Sequence, residues 1–162
     1  MLYYSNIYLK GSRTMRYMLI LSIMWCCIIT GKEIKNIEII DGDTIAYVEN
    51  NKRTRVRLYG IDAPELHQPY GLEAKHKLKS LLRKKVTLHV ITTDRYRREI
   101  GVLYVNKTCI NTQMLLEGYA WYYPEASPKS TIYQYHEQYA RDRKMGMWSS
   151  ELQLVEPWLY RK

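Results

Sequence analysis

The chain has 162 residues, room for one compact domain and too few for two ordinary ones. Hydrophobic residues make up 46% of it, a normal share for a globular core, and the net charge of +9 favours a polyanionic partner, either nucleic acid or an anionic membrane. Of the three cysteines, Cys26 and Cys27 sit in an apolar run, which leaves Cys109 alone and excludes an internal disulfide or a zinc site. Charge alone fits a generally basic surface equally well. Phenylalanine is absent while Tyr numbers 16 and Trp 4, so core aromatics often carry a polar tip that needs a partner.

In chain order, Tyr17 to Gly31 carries no charge and follows Arg13 and Arg16. A basic stretch before a short apolar run is the layout of a signal peptide. The run is shorter than the ~18–20 residues that cross a bilayer comfortably, so an uncleaved anchor and a buried core helix are the rival readings. Residues 1–31 are therefore read as a signal peptide or N-terminal membrane anchor, with Met1 or Met15 as the start, and residues 32–162 as the domain. Export is the expectation, free or tethered, with the domain outside the cytoplasm.

Lys32 to Val48 is rich in Ile and Val and is interrupted at Asp41-Gly42-Asp43. It reads as two strands around a tight turn, in which Gly42 supplies a positive φ and Asp41 shapes the turn. Asn50-Asn51 marks a second turn. Lys52 to Tyr59 then alternates, with Thr54, Val56 and Leu58 on one face and Arg53, Arg55 and Arg57 on the other. Tyr70 to Leu82 has helical spacing through Ala74, Leu78, Leu81 and Leu82. Val86–Ile91 and Ile100–Val105 read as strands joined by the charged turn Asp94–Arg98. A helix is predicted over Asn111–Glu117, with Asn111 as N-cap, and another over Thr131–Lys144, ended by Gly146. Short strands with interspersed helices predict an α+β domain built on a small barrel.

Asp43 and Asp62 each lie in or beside a turn next to a strand. Two such turns can meet at one rim of a barrel, where two carboxylates and a backbone carbonyl would suit Ca²⁺. No His or Cys cluster competes for a softer metal. Each Asp taken alone is equally a turn residue. Arg57 and Arg98 carry guanidinium groups that match phosphate oxygens and stay charged, as a phosphoryl-transfer transition state requires. Glu65, just past Asp62 across a proline, is placed to orient or deprotonate an attacking water, or else to cap the next helix.

The segments DGDTI, RVRLYGIDAPE, YGLEAKHKLKSLL, DRYRREIGVLYV, INTQMLLEGYAWYY and ARDRKMGMW resemble, in order and spacing, the staphylococcal nuclease (thermonuclease) family, over about Ile34 to Trp148. The resemblance implies a five-stranded OB-fold β-barrel with three α-helices. It implies a Ca²⁺-dependent nuclease acting on DNA and RNA as a monomer without an obligate protein partner, and leaving 3′-phosphate ends. The family's metal carboxylates match Asp43 and Asp62, and its carbonyl ligand matches Ala63. Its catalytic Arg–Glu–Arg set matches Arg57, Glu65 and Arg98. Arg95 and Tyr96 match nucleotide-contacting positions, and an exposed basic turn is their other reading.

The departures are specific. Arg97 replaces the family's usual glycine and is strained if the turn needs a positive φ. The loop Leu66–Pro69 is short. The family's downstream nucleotide-contacting tyrosines have no clean counterpart, because Pro124 and Ala126 stand there. Two rival functions are a catalytically silent OB module that binds nucleic acid by stacking and charge, and a membrane-tethered protein using its basic face on anionic lipid. The silent reading predicts loss of Arg57, Glu65 or Arg98, and all three are present.

Overall fold

The computed structural model describes residues 31–127 and 130–162, so the apolar run before Gly31 lies outside the described residues. The chain enters a sheet at β1 (Lys32–Ile34) and β2 (Glu38–Ile39). Where the sequence predicts one strand before the Asp-Gly-Asp turn, the structure has two, because Asn36 takes a left-handed φ of 51° between them. Asn tolerates that conformation better than most residues. β3 (Thr44–Glu49) and β4 (Lys52–Leu58) form the predicted hairpin. Asn50 and Asn51 both have positive φ, 49° and 59°, as a two-residue hairpin turn requires.

The helix α1 (Gly71–Leu81) follows the short strand β5 (Ile61–Asp62). β6 (Val86–Thr93) and β7 (Glu99–Val105) are joined by the charged turn, and β8 (Thr108–Cys109) runs directly into α2 (Ile110–Leu116). β9 (Trp121–Tyr122) pairs with β5, and α3 (Thr131–Asp142) is capped by the Ser130 hydroxyl on the Tyr133 amide. A 3₁₀ turn at Gly146–Ser149 and the short helix α4 (Pro157–Tyr160) finish the chain. None of these helices is long and apolar enough to cross a membrane.

The main sheet has the order β1-β6-β7-β4-β3-β2, antiparallel except for β4 beside β7. Its two edges, β1 and β2, are consecutive in the chain. They are therefore two halves of one broken strand, and the sheet curls back on itself as the OB-type barrel. The alternation predicted for β4 holds: Val56 and Leu58 are buried, while Arg53 and Arg55 are exposed. Ile45, Val56, Leu58, Leu88 and Leu103 form the core with Ala74 and Leu78 of α1 and with Ile110, Met114 and Leu115 of α2. Each fully buried Leu, Ile or Met contributes roughly 1.5–3 kcal/mol, so these two helices are fixed mainly by their apolar faces.

Asn111 is not the N-cap of α2. Cys109 holds that position, and Asn111 lies inside the helix and is fully buried. Its side chain accepts from the Leu103 amide at 3.1 Å and donates to the carbonyls of Tyr59 (3.0 Å) and Gly101 (3.2 Å). It ties the helix to β7 and to the end of β4, satisfying backbone groups that the barrel leaves open. Cys109 is a free, half-buried thiol.

Candidate active site

The site is assembled at one end of the β3–β4 hairpin. The pairing of Thr44 with Arg57 puts Asp43 beside Arg57, and the Leu58 amide donates to the Asp43 carbonyl at 2.8 Å. Asp41 shapes the preceding turn, accepting from the Asp43 amide at 3.0 Å. Gly42 does not need a positive φ. Its role is space: a Cβ there would lie 2.6 Å from the Ala63 Cβ and 2.8 Å from the Ala74 Cβ. With hydrogen at that position, α1 and the Asp62–Ala63 segment close onto the turn.

That closure brings both predicted metal carboxylates to a single guanidinium. Arg57 forms ion pairs with Asp43, through Nη1 and Oδ2, and with Asp62, through Nη2 and Oδ1 at 2.6 Å. Asp43 Oδ2 also accepts from the Ala63 amide at 2.6 Å, and its Oδ1 accepts from the Thr44 hydroxyl. The Arg57 Nη1, although paired electrostatically, is buried without an aligned hydrogen-bond acceptor. Among the described residues, no hydrogen bond reaches the Ala63 carbonyl.

The charges do not balance. Burial, and then the charge of Asp43, push the Asp41 carboxyl up to about 7. Burial also raises Asp62, against the opposing pull of Arg161 and Arg57. Arg57 goes the other way: burial works against its charge, yet Asp43 and Asp62 carry it above the ordinary arginine value. Burial is the first cause of both shifts, and the surplus is seen instead in the formal count: the acids Asp41, Asp43, Asp62 and Glu65 outnumber Arg57 and Arg161. Two convergent carboxylates, a free carbonyl and surplus negative charge fit a hard divalent cation that keeps several of its waters.

Glu65 follows at the surface of this cluster. Gln68 fixes its backbone, accepting from the Glu65 amide at 2.8 Å through Oε1. The Glu65 carboxylate does not cap α1, whose N-cap is Tyr70 with no side-chain hydrogen bond. It accepts instead from Arg161, Nη1 to Oε1 at 2.6 Å, and the same guanidinium grips Asp62 at 3.1 Å and 2.7 Å. Arg161 and Gln68 are the site residues that sequence reasoning missed.

Arg98 is not joined to this cluster. It stands just before Glu99, which pairs with Val56 next to Arg57, and its Nε donates to Asp94 at 2.7 Å. Asp94 also accepts from the backbone amides of Tyr96 and Arg98. Burial opposes its charge, but these bonds hold its carboxyl below the usual value. The Tyr96 ring is exposed and packed by Arg95 at 4.8 Å and Arg98 at 5.7 Å. Arg97 takes φ 62°, so the turn does require the left-handed conformation that glycine adopts freely. Beside the turn runs a groove of about 470 Å³, lined by Lys52, Arg53, Arg55, Tyr96 and Arg97 among others. Tyr122 and Tyr123 do not face it. Tyr122 bonds the Ser127 carbonyl, and the Tyr123 ring lies 5.4 Å from Trp158.

The sequence profile described as "Staphylococcal nuclease homologue" matches residues 55–150. The chain belongs to the staphylococcal nuclease family. It is 36% identical over 137 residues to a micrococcal nuclease of Shigella flexneri, covering 78% of each chain. It is 35% identical over 138 residues to an uncharacterized endonuclease of Escherichia coli O157:H7, covering 84% of this chain and 87% of that one. A staphylococcal-like nuclease of Arabidopsis thaliana is 37% identical over 112 residues, which are 68% of this chain and 34% of the longer plant protein. The chain thus spans most of these bacterial relatives and about a third of the plant one.

Proposed function

We propose that this protein is a nuclease that hydrolyses phosphodiester bonds in DNA and RNA, that it depends on Ca²⁺, and that it leaves 3′-phosphate ends. The observation that carries the reading is the convergence of Asp43 and Asp62 on Arg57, with Glu65 at the rim. When bound between the two aspartates and the Ala63 carbonyl, Ca²⁺ would supply a Lewis acid for a phosphoryl oxygen. Arg57 holds positive charge beside the phosphate, where the transition state gathers negative charge. Glu65 takes the proton of the attacking water. Water oxygen bonds to phosphorus, the bond from phosphorus to the 5′-oxygen breaks, and that oxygen leaves with a proton from solvent. Arg98, held to Asp94 through Nε, would offer its Nη groups to the phosphate in the substrate complex. Arg95 and Tyr96 offer a base a ring and a charge at the mouth of the basic groove.

The test is hydrolysis of DNA and RNA side by side, with Ca²⁺ and with a chelator. Arg57→Ala, Arg98→Ala and Glu65→Gln should each slow turnover by at least ~10²-fold, the order for losing a transition-state contact. Arg57→Lys should not restore it, because the bidentate fork is gone. Asp43→Ala and Asp62→Ala should weaken Ca²⁺ binding. Hydrolysis that continues unchanged under chelation would sink the metal assignment. Binding of nucleic acid without any cleavage would favour the silent OB module instead.

A further inference from the structure

Arg161 lies outside the residues matched to the family, yet it makes three hydrogen bonds to the acids of the site. It is delivered there by a packed segment. Gln68, itself buried and bonded to the Glu65 amide, donates to the Val155 carbonyl at 3.1 Å. Pro157 is buried at the start of α4, Trp158 packs on Tyr123, and the Arg161 amide closes the turn on the Pro157 carbonyl at 3.1 Å. The segment and the Glu65 loop are thus clasped together on both sides of the guanidinium.

The hydrogen-bond inventory of Asp62 then decides what this arginine does. Its Oδ1 accepts from both Arg57 and Arg161, and its Oδ2 accepts from Arg161. A cation that took Asp62 through the second lone pair of Oδ2 would sit against this guanidinium, positive charge beside positive charge. Arg57 is the less able to yield, because its side chain on β4 is only 14% exposed and is also paired with Asp43. Arg161 can yield: its side chain is 42% exposed, against 0% for Asp62. We propose that Arg161 is a tethered cation that occupies the metal site in the metal-free protein, and that a divalent ion must displace it from Asp62 and Glu65 to bind. Arg161 therefore sets the metal concentration at which the enzyme works, and its departure also frees Glu65 to act on water. This inference rests on the proposed binding of Ca²⁺ at Asp43 and Asp62.

The experiment is calorimetric titration of the full chain with CaCl₂ alone, comparing wild type with Arg161→Gln, Arg161→Lys and the neighbouring exposed Lys162→Gln. If the docked state holds nine-tenths of molecules, removing it tightens apparent affinity about tenfold, since apparent affinity scales with the competent fraction. Arg161→Gln should show that gain. Arg161→Lys should fall between, because lysine keeps the charge without the fork. Lys162→Gln should stay within about twofold, the reach of a screened surface charge. Without metal, Arg161→Gln should melt below wild type, and Ca²⁺ should raise its Tm by more. Affinity in Arg161→Gln equal to or weaker than wild type overturns the inference while leaving Ca²⁺ binding intact. Should that variant fail to fold by circular dichroism, Arg161→Lys decides on the same terms. No Ca²⁺ binding by wild type or any variant overturns the metal reading, and the inference with it.

Discussion

Arg97 carries a backbone cost that glycine would avoid. At φ 62° a residue with a Cβ is strained by roughly 1–2 kcal/mol, while glycine pays roughly 0.5–1 kcal/mol in chain entropy instead. Arg97→Gly should therefore stabilise the protein by up to about 1 kcal/mol in urea denaturation, read as a higher midpoint at unchanged slope. It should also weaken single-stranded DNA binding, because Arg97 lines the basic groove. A variant that loses stability would show that the arginine makes a compensating contact. At this scale the sequence was legible wherever one residue acts through its own neighbours. Asp41 shapes its turn, the two asparagines turn the hairpin, and the Arg57 side of β4 follows from alternation. Arg161 was not legible, because it meets Glu65 from 96 residues away and no local pattern encodes that.

Among the elements, α2 shows how one residue type can signal two structures. Asn ahead of an apolar run marks an N-cap, but the same Asn can serve as a buried cross-link. Here Asn111 serves three backbone groups on β7 and beyond β4. Asn111→Ala would take this partner from the Leu103 amide and the Tyr59 carbonyl, at about 1–3 kcal/mol for each that water cannot reach, while the Gly101 carbonyl keeps the Tyr59 amide at 2.8 Å. A loss of at least about 2 kcal/mol is expected, measured by urea denaturation. A loss below 1 kcal/mol would mean that water replaces the side chain. β5 and β9 escape sequence reading because two residues define no period, yet their pairing of Asp62 with Trp121 holds a metal-ligand candidate in place. The break at Asn36 was hidden for a similar reason: Ile34 before it and Ile37, Ile39 and Ile40 after it read as one apolar run.

At the scale of the whole molecule, the basic balance and the charge-free run from Tyr17 to Gly31 support export as a proposal. Fractionation of the native protein with N-terminal sequencing should find the domain outside the cytoplasm, and a cytosolic product retaining residues 17–31 would overturn this. The broken first strand has a bearing on how such a chain folds. Among the described residues β1 pairs with β6 and β2 with β3, so this broken strand supplies both lips of the seam. The β2–β3–β4 meander can form from its own neighbours, whereas β1 waits for everything up to β6. Non-local pairing of this kind is slow, because the loop entropy is spent before any contact repays it. Docking of β1 on β6 is then expected late in folding, and until it happens the β6 edge stands open to pairing with another chain.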